Sequence, residues 1–330
     1  MTKTAGLRVV LGTMTFSAQS DKAASVLQLK ALLAAGHSEL DTARMYEHGK
    51  TEKLLGEVLH SDAFKNAGFK VASKANPFQG YGETLSAVSV ATQMAETLRD
   101  LNAPKVSIYY LHGPDAQTPI LETLEAVNKL HAAGCFEEFG LSNFCAWEVA
   151  HICGLCSERG WVKPTVYQGM YNALTRDVEA ELLPCLLALK IRFNAFNPLA
   201  GGLLACARSR RDYDGLDDSS RFRKGNPTYR KRYLADPQLD AVDAVQAACS
   251  AANVAPANAA LRWLAHHSKL RQDDGVIVGA SKLSHLEENL LALEEGPLDQ
   301  GIVDAFEAGW QQIRAAGVCP SYHRGNSKYV

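Results

Sequence analysis

Three consecutive strand-like runs in this chain close on ionisable residues. In Leu40-Asp41-Thr42-Ala43-Arg44-Met45-Tyr46 an apolar residue leads into a carboxylate, and a phenol follows five residues later. Lys70-Val71-Ala72-Ser73-Lys74 ends on an amine, and Val106-Ser107-Ile108-Tyr109-Tyr110-Leu111-His112 ends on an imidazole. A lone Asp at a strand end is usually a turn or cap residue, and a lone Lys or His has many structural uses. Delivered together by neighbouring strand ends, Asp41, Tyr46, Lys74 and His112 would make one proton-handling site. That convergence needs a fold in which all strand ends face one place.

The order of elements supplies such a fold. Short apolar runs centred near positions 10, 40, 72, 109, 140, 166 and 194 recur at about the spacing of one βαβ unit. Between them lie segments with apolar residues at helical spacing: 21–34, 52–59, 84–101, 120–133, 147–158 and 180–189. Thr84 is the expected N-cap of the third helix, and Gly134 the stop of the fourth. An eighth strand, Gly275 to Gly279, comes after a long interruption that holds a polar, basic segment (Ala205 to Pro237) and helix-like stretches at 239–252 and 257–267. Eight strands buried on both faces and alternating with helices predict an α/β fold, a closed (β/α)8 TIM barrel with a long loop after the seventh strand. The rival, an open doubly wound sheet, would carry a G-x-G-x-x-G turn after its first strand, and Gly12-Thr13-Met14-Thr15-Phe16 is not one. Residues 1–330 read as a single barrel domain, with catalysis expected at the C-terminal mouth of the strands.

Composition narrows the partners. At 330 residues, 47% hydrophobic and 21% charged, the chain resembles an ordinary soluble enzyme. A formal charge of -2, with no basic stripe interleaved with aromatics, argues against nucleic acid. The basic cluster at Arg208 to Arg211 and Arg221 to Arg232 has acidic residues among it and suits a small anion or a solvated face. No apolar run approaches the roughly 18 residues of a membrane span, and the start lacks a signal-peptide core, so a cytoplasmic protein is expected. The eight scattered cysteines then read as reduced thiols.

Several patterns only look like chemistry. Gly49-Lys50-Thr51 resembles the end of a P-loop, but Arg44 stands where the leading glycine is required. Cys153 and Cys156 have redox spacing within a helical pattern and read as packed thiols. His266-His267 has no ligand-spaced partners, so no metal is expected.

The motif around Asp41, the pairs Ser73-Lys74 and Leu111-His112, and the later Gly140-Leu141-Ser142-Asn143-Phe144 and Tyr167-Gln168-Gly169-Met170-Tyr171-Asn172 together resemble the aldo-keto reductases. Asn197-Pro198-Leu199-Ala200-Gly201-Gly202-Leu203-Leu204 and the block from Gly279 to Asn289 extend the likeness over essentially the whole chain. The last blocks most closely resemble the aflatoxin-aldehyde and succinic-semialdehyde reductase branch. The resemblance implies NADPH as cofactor and Tyr46 as the acid that protonates the carbonyl oxygen. A free phenol has a pKa near ~10, and a neighbouring Lys74 ammonium is expected to bring it down. Asp41 would pair with Lys74, and His112 would orient the carbonyl oxygen.

The resemblance also implies cofactor contacts. Ser142, Asn143 and Gln168 would hold the nicotinamide carboxamide, and Asn197, Leu199 and Gly201 would begin the loop along the pyrophosphate. Ser281, Lys282, His285, Glu288 and Asn289 would surround the adenosine, with Lys282 and Arg221 available for a 2'-phosphate. The pyrophosphate loop departs from the family at Ala205-Cys206-Ala207, where a lysine is missing and Arg208 is the candidate replacement. Another departure is His285, where relatives carry Gln or Arg. The bland reading of the 281–289 block is a helix start capped by Ser281 or Ser284.

On the substrate side Met45, Tyr229, Arg232 and Arg324 align with contact positions. Two guanidiniums in a pocket otherwise lined by Met14, Met45 and Trp147 would favour a small aldehyde with a distal carboxylate. The bland alternative makes Arg232 and Arg324 surface or dimer-contact charges, a homodimer being common among relatives. Two other functions fit the same fold. One is a barrel resembling the potassium-channel β-subunit, which binds NADPH with little turnover. The other is an aldolase with Lys74 as a Schiff-base amine, disfavoured because Asp41 would keep that amine protonated.

Overall fold

The computed structural model describes residues 6–78, 82–205, 213 and 220–324. Its eight strands are β1 Arg8–Gly12, β2 Glu39–Asp41, β3 Lys70–Ala75, β4 Val106–Leu111, β5 Phe136–Ser142, β6 Pro164–Met170, β7 Arg192–Phe196 and β8 Gly275–Val278. They pair in parallel in sequence order, and β8 closes on β1. The expected barrel is therefore present. Ala72, Ile108, Tyr110 and Val166 pack in its interior, while alternate strand residues meet a larger apolar layer under the helices.

The helices are α1 Lys22–Ala34, α2 Lys50–Leu59, α3 Ala87–Leu101, α4 Ile120–Ala132, α5 Ala146–Arg159, α6 Leu182–Ala188, α7 Pro227–Tyr233, α8 Asp236–Ala251, α9 Pro256–Arg262, α10 Leu283–Glu294 and α11 Gln300–Ala315. Differences from the sequence expectation have local causes. Ser86, not Thr84, caps α3: its hydroxyl accepts from the Ser89 N–H, while the Thr84 hydroxyl turns back onto Ser86. Helix α6 begins late because Pro184 lacks an N–H and is tolerated only in a first turn. The 257–267 stretch is α9 followed by a wider π turn, Trp263–His267, in which His267 Nε2 accepts from the Leu298 N–H at 3.0 Å. The basic segment contains a helix, α7, opened by Pro227 at its first turn. The sequence reading assigned nothing to α11, whose Ile302, Phe306, Trp310 and Ile313 form a buried stripe. Gly134 follows α4 at φ +75°, the left-handed position a helix stop needs.

At the N-terminal end of the barrel, charges pair across strands: Arg8 with Glu39 and Arg192 with Glu138. Buried Asp274 accepts from the Phe193 N–H at 2.7 Å and from Arg271, tying β7 to the entry of β8. That end is built for closure. The seven cysteines among the described residues are free, and burial pushes the Cys153 and Cys156 thiols up to about 11. No helix among the described residues is long and apolar enough to cross a membrane.

Candidate active site at the barrel mouth

Asp41 is the last residue of β2 and Lys74 the fifth of β3, so the parallel register brings both to the C-terminal end of the barrel. Lys74 is fully buried. Its Nζ donates to Asp41 Oδ2 at 2.7 Å and to the Thr42 carbonyl at 2.7 Å. Burial pushes the ammonium below its ordinary pKa, against the opposing pull of Asp41 and, more weakly, Glu52. Tyr46 lies past the strand end, its ring centroid 5.3 Å from Lys74 Nζ. His112 follows β4 with its ring edge-on to Tyr46 at 6.2 Å. The four residues lie together at the barrel mouth.

The electrostatics of Tyr46 correct the sequence reading. Its phenol is pushed well above the ordinary value, first by burial, then by the Asp41 carboxylate and Tyr229. The expected lowering by Lys74 does not occur, because Asp41 offsets that ammonium and desolvation penalises a phenolate. Tyr46 therefore stays protonated at neutral pH, as a proton donor must. His112 moves the other way: burial, then the charges of Lys74 and Arg324, hold it well below the usual imidazole range. Its Nδ1 is buried without a hydrogen-bond partner among protein atoms.

The polar residues beside this cluster have definite partners. Asn143, at φ +63°, donates from Nδ2 to the His112 carbonyl at 2.7 Å and to Ser142 Oγ at 3.0 Å. Gln168 donates from Nε2 to Asp41 Oδ1 at 2.7 Å, a contact the resemblance did not imply. Asn197, at φ +57°, donates to the Tyr233 hydroxyl at 3.2 Å, and Leu199 opens the turn that leads to Gly201. At Gly201 a Cβ would stand 2.6 Å from the Tyr229 ring, so only glycine lets that ring lie on the loop.

Tyr229 is flanked by both candidate arginines of the long insertion. The Arg221 and Arg232 guanidiniums lie 5.6 and 5.5 Å from its ring centroid, and Arg221 donates to its hydroxyl at 3.3 Å. Arg221 and Tyr229 are both close enough to act on the Tyr46 phenol. Arg221 thus lies beside the Tyr229 ring, on the side of the mouth that bears Tyr46.

The C-terminal segment returns to the same mouth. The Arg324 N–H donates to the Asn143 carbonyl at 2.9 Å, and its guanidinium sits 4.0 Å from the Phe78 ring centroid. Phe78 in turn lies 5.2 Å from His112. Burial and then the charge of Arg232 lower the pKa of Arg324, so the two guanidiniums feel one another. Met45 is half-buried beside Tyr46, and Met14 and Trp147, at strand exits, keep 39% and 48% of their surface exposed. The sequence reading missed Phe78 and Tyr233. Phe78 is an aromatic four residues past Lys74 and could have been flagged by position. Tyr233 had no recognisable partner until the fold brought it to Asn197.

On the β8 side, Lys282 holds the cap position of α10, and no side chain caps that helix. The bland reading of this block, a cap by Ser281 or Ser284, is not what the α10 start shows, and a positive helix end of this kind suits an anion. Lys282, His285 and Glu288 are exposed, Ser281 is half-buried and Asn289 is buried. Arg208 lies outside the described residues.

The family model described as "Aldo/keto reductase family" matches residues 8–310. The chain belongs to the aldo/keto reductase family. It is 47% identical over 324 residues to human "Aflatoxin B1 aldehyde reductase member 2", covering 96% of this chain and 89% of that protein. With "Aldo-keto reductase family 7 member A3", also human, it shares 44% over 324 residues, 96% of each chain. "Aldo-keto reductase pigE" of Monascus ruber is 38% identical over 317 residues, 91% of each chain. As a member of this family the chain is an oxidoreductase acting on small aldehydes, and aldo/keto reductases generally use a nicotinamide cofactor. The residues present fit such a group: amide and hydroxyl side chains stand at the ends of β5 and β6, and the uncapped α10 start suits a phosphate.

Proposed function

We propose that the protein is an NADPH-dependent aldehyde reductase whose preferred substrates carry a carboxylate or a second carbonyl. The observation that carries this reading is the meeting, at one barrel mouth, of a protonated phenol, a neutral imidazole and a buried Asp41–Lys74 pair, with Arg324 acting on His112 and Arg232 acting on Arg324. When bound, the nicotinamide supplies the hydride. His112 donates a hydrogen bond to the aldehyde oxygen and orients the carbonyl. Tyr46 delivers its proton to that oxygen, and Lys74, held by Asp41, stands beside the phenolate that remains. Ser142 and Asn143 would hold the nicotinamide carboxamide. Gln168, fixed on Asp41, lies beside them. The names of the aflatoxin B1 aldehyde reductases that the chain resembles support an aldehyde as the substrate.

The arginines carry the specificity. A hydrogen bond to a charged group is worth ~1.5–3 kcal/mol, which corresponds to roughly tenfold to a hundredfold in kcat/KM. Arg232→Met should lower kcat/KM for succinic semialdehyde by that factor and barely affect butanal. Equal losses for both aldehydes, or none, would return Arg232 to a structural role.

Coenzyme choice rests on Lys282, the exposed cation at the α10 start. Lys282→Met should raise KM for NADPH by roughly tenfold and leave KM for NADH nearly unchanged, since one charge-assisted contact to a phosphate is removed. Arg221→Met, which removes the second candidate partner of the 2'-phosphate, should act in the same direction. Steady-state kinetics with the two cofactors checks both statements, and a Lys282 variant with equal losses would remove it from phosphate recognition.

A further inference from the structure

Tyr46 is followed by three residues with left-handed backbone: Glu47 at φ 46°, His48 at φ 54° and Gly49 at φ 85°. Only the third is a glycine. Side chains rarely adopt this region, and a run of such residues persists only where its surroundings dictate it. The Arg44 side chain provides those surroundings. Its guanidinium lies so close beneath Gly49 that a methyl group there would stand 2.4 Å from Nη1.

The same guanidinium is pinned from behind. Nη1 reaches Glu52 of α2 at 3.0 Å and Asp100 of α3 at 2.7 Å, and Nε reaches Glu96 of α3 at 3.1 Å. Glu52 is fully buried and takes the hydroxyls of Ser73 at 2.6 Å and Thr97 at 2.9 Å on its other oxygen. Side chains alternate along a strand, so Ser73 points out to this network while Lys74 points into the barrel. The Arg44 backbone N–H also donates to the Lys74 carbonyl at 3.4 Å. One residue therefore joins the strand that bears Lys74, the turn that bears Tyr46 and the two helices behind them.

We propose that Arg44 is a positioning residue for Tyr46, acting through the 46–49 turn, with Glu52 as its buried counter-charge. The proposal rests on Tyr46 being the proton donor. A displacement of about 1 Å at a reacting group can cost about 10²-fold in rate, and Arg44 touches none of the reacting groups itself.

The test compares Arg44→Met, Gly49→Ala and Arg44→Lys with the wild type. Gly49→Ala keeps every charge but forces a Cβ against a guanidinium that three carboxylates hold, so the turn must shift. Kinetics with butanal and NADPH are read together with NADPH affinity, from quenching of protein fluorescence, and with the solvent deuterium isotope effect. Arg44→Met and Gly49→Ala should each lose about 10²-fold in kcat, with NADPH affinity within about threefold of wild type. The solvent isotope effect should rise, because proton delivery becomes the slow step. Arg44→Lys should recover roughly tenfold of the loss through its retained charge.

Parallel loss of NADPH binding and kcat would make Arg44 a stabilising cross-link and overturn the positioning role. Should Arg44→Met fail to fold, Gly49→Ala decides: an unchanged kcat overturns the proposal. Tyr46→Phe in the same series separates the two ideas. Near-normal turnover in Tyr46→Phe removes the donor and with it anything for Arg44 to position. Collapse of Tyr46→Phe beside unaltered kcat in Arg44→Met and Gly49→Ala overturns the Arg44 proposal alone.

Discussion

Tyr46→Phe should bind NADPH as the wild type does and reduce aldehydes ~10²- to 10⁴-fold more slowly, the usual contribution of a positioned general acid. The substitution removes one hydroxyl and leaves a ring of the same shape against His112, 6.2 Å away. The size of the loss follows from the site's electrostatics. Burial, Asp41 and Tyr229 hold the phenol protonated, so the whole enzyme population carries the donor at neutral pH. His112 is neutral, so its hydrogen bond can orient the carbonyl without replacing the missing proton. Fluorescence titration with NADPH and steady-state turnover of butanal check the two halves of the expectation. Turnover near the wild-type rate on an unactivated aldehyde would move the proton donor elsewhere.

Asp41→Asn should destabilise the fold by about 3–5 kcal/mol, the cost of leaving one partner of a buried pair uncompensated. Lys74 has no exposed side-chain surface and Asp41 only 5%, so water cannot replace the lost charge. Lys74 and Gln168 each donate to a different oxygen of this carboxylate, and the single amide oxygen of Asn can accept from only one of them in that geometry. Adding Lys74→Met to Asp41→Asn should recover much of the stability, because an apolar side chain of similar length needs no counter-charge. It should not recover activity. Urea unfolding of the two single variants and the double variant measures the coupling. A single Asp41→Asn within about 1 kcal/mol of wild type would mean that the pair is not a desolvated one.

How much of this was legible in the sequence follows from which residues act locally. The barrel was readable because parallel strands buried on both faces are short apolar runs, and their spacing sets the βαβ period. Asp41, Lys74 and His112 were readable because a strand end delivers whatever residue stands there to the common mouth. The sign of the Tyr46 shift was not readable. It depends on Tyr229 and Arg221, more than 170 positions away, and on the degree of burial. The Arg221–Tyr229 contact was hidden for the same reason: only the folded insertion brings that ring over the loop at Gly201. The Arg44–Glu52 link lay within eight residues of sequence, yet its meaning needed the left-handed turn between them and the carboxylates of α3. Short-range pattern therefore gave the scaffold and the reacting groups, while the field around them came from long-range contacts.

The central claim is hydride transfer from NADPH to a carboxyl-bearing aldehyde, and an isotope label follows it directly. NADPH carrying deuterium at the transferable position of nicotinamide C4 is incubated with succinic semialdehyde and a small amount of enzyme, and the alcohol is analysed by mass spectrometry. One deuterium is expected on the carbinol carbon for each NADPH consumed, continuing through many turnovers per chain. Consumption that stops at one NADPH per chain would point to a barrel that holds its cofactor without catalysis. An alcohol that lacks the label at that carbon would contradict hydride transfer altogether.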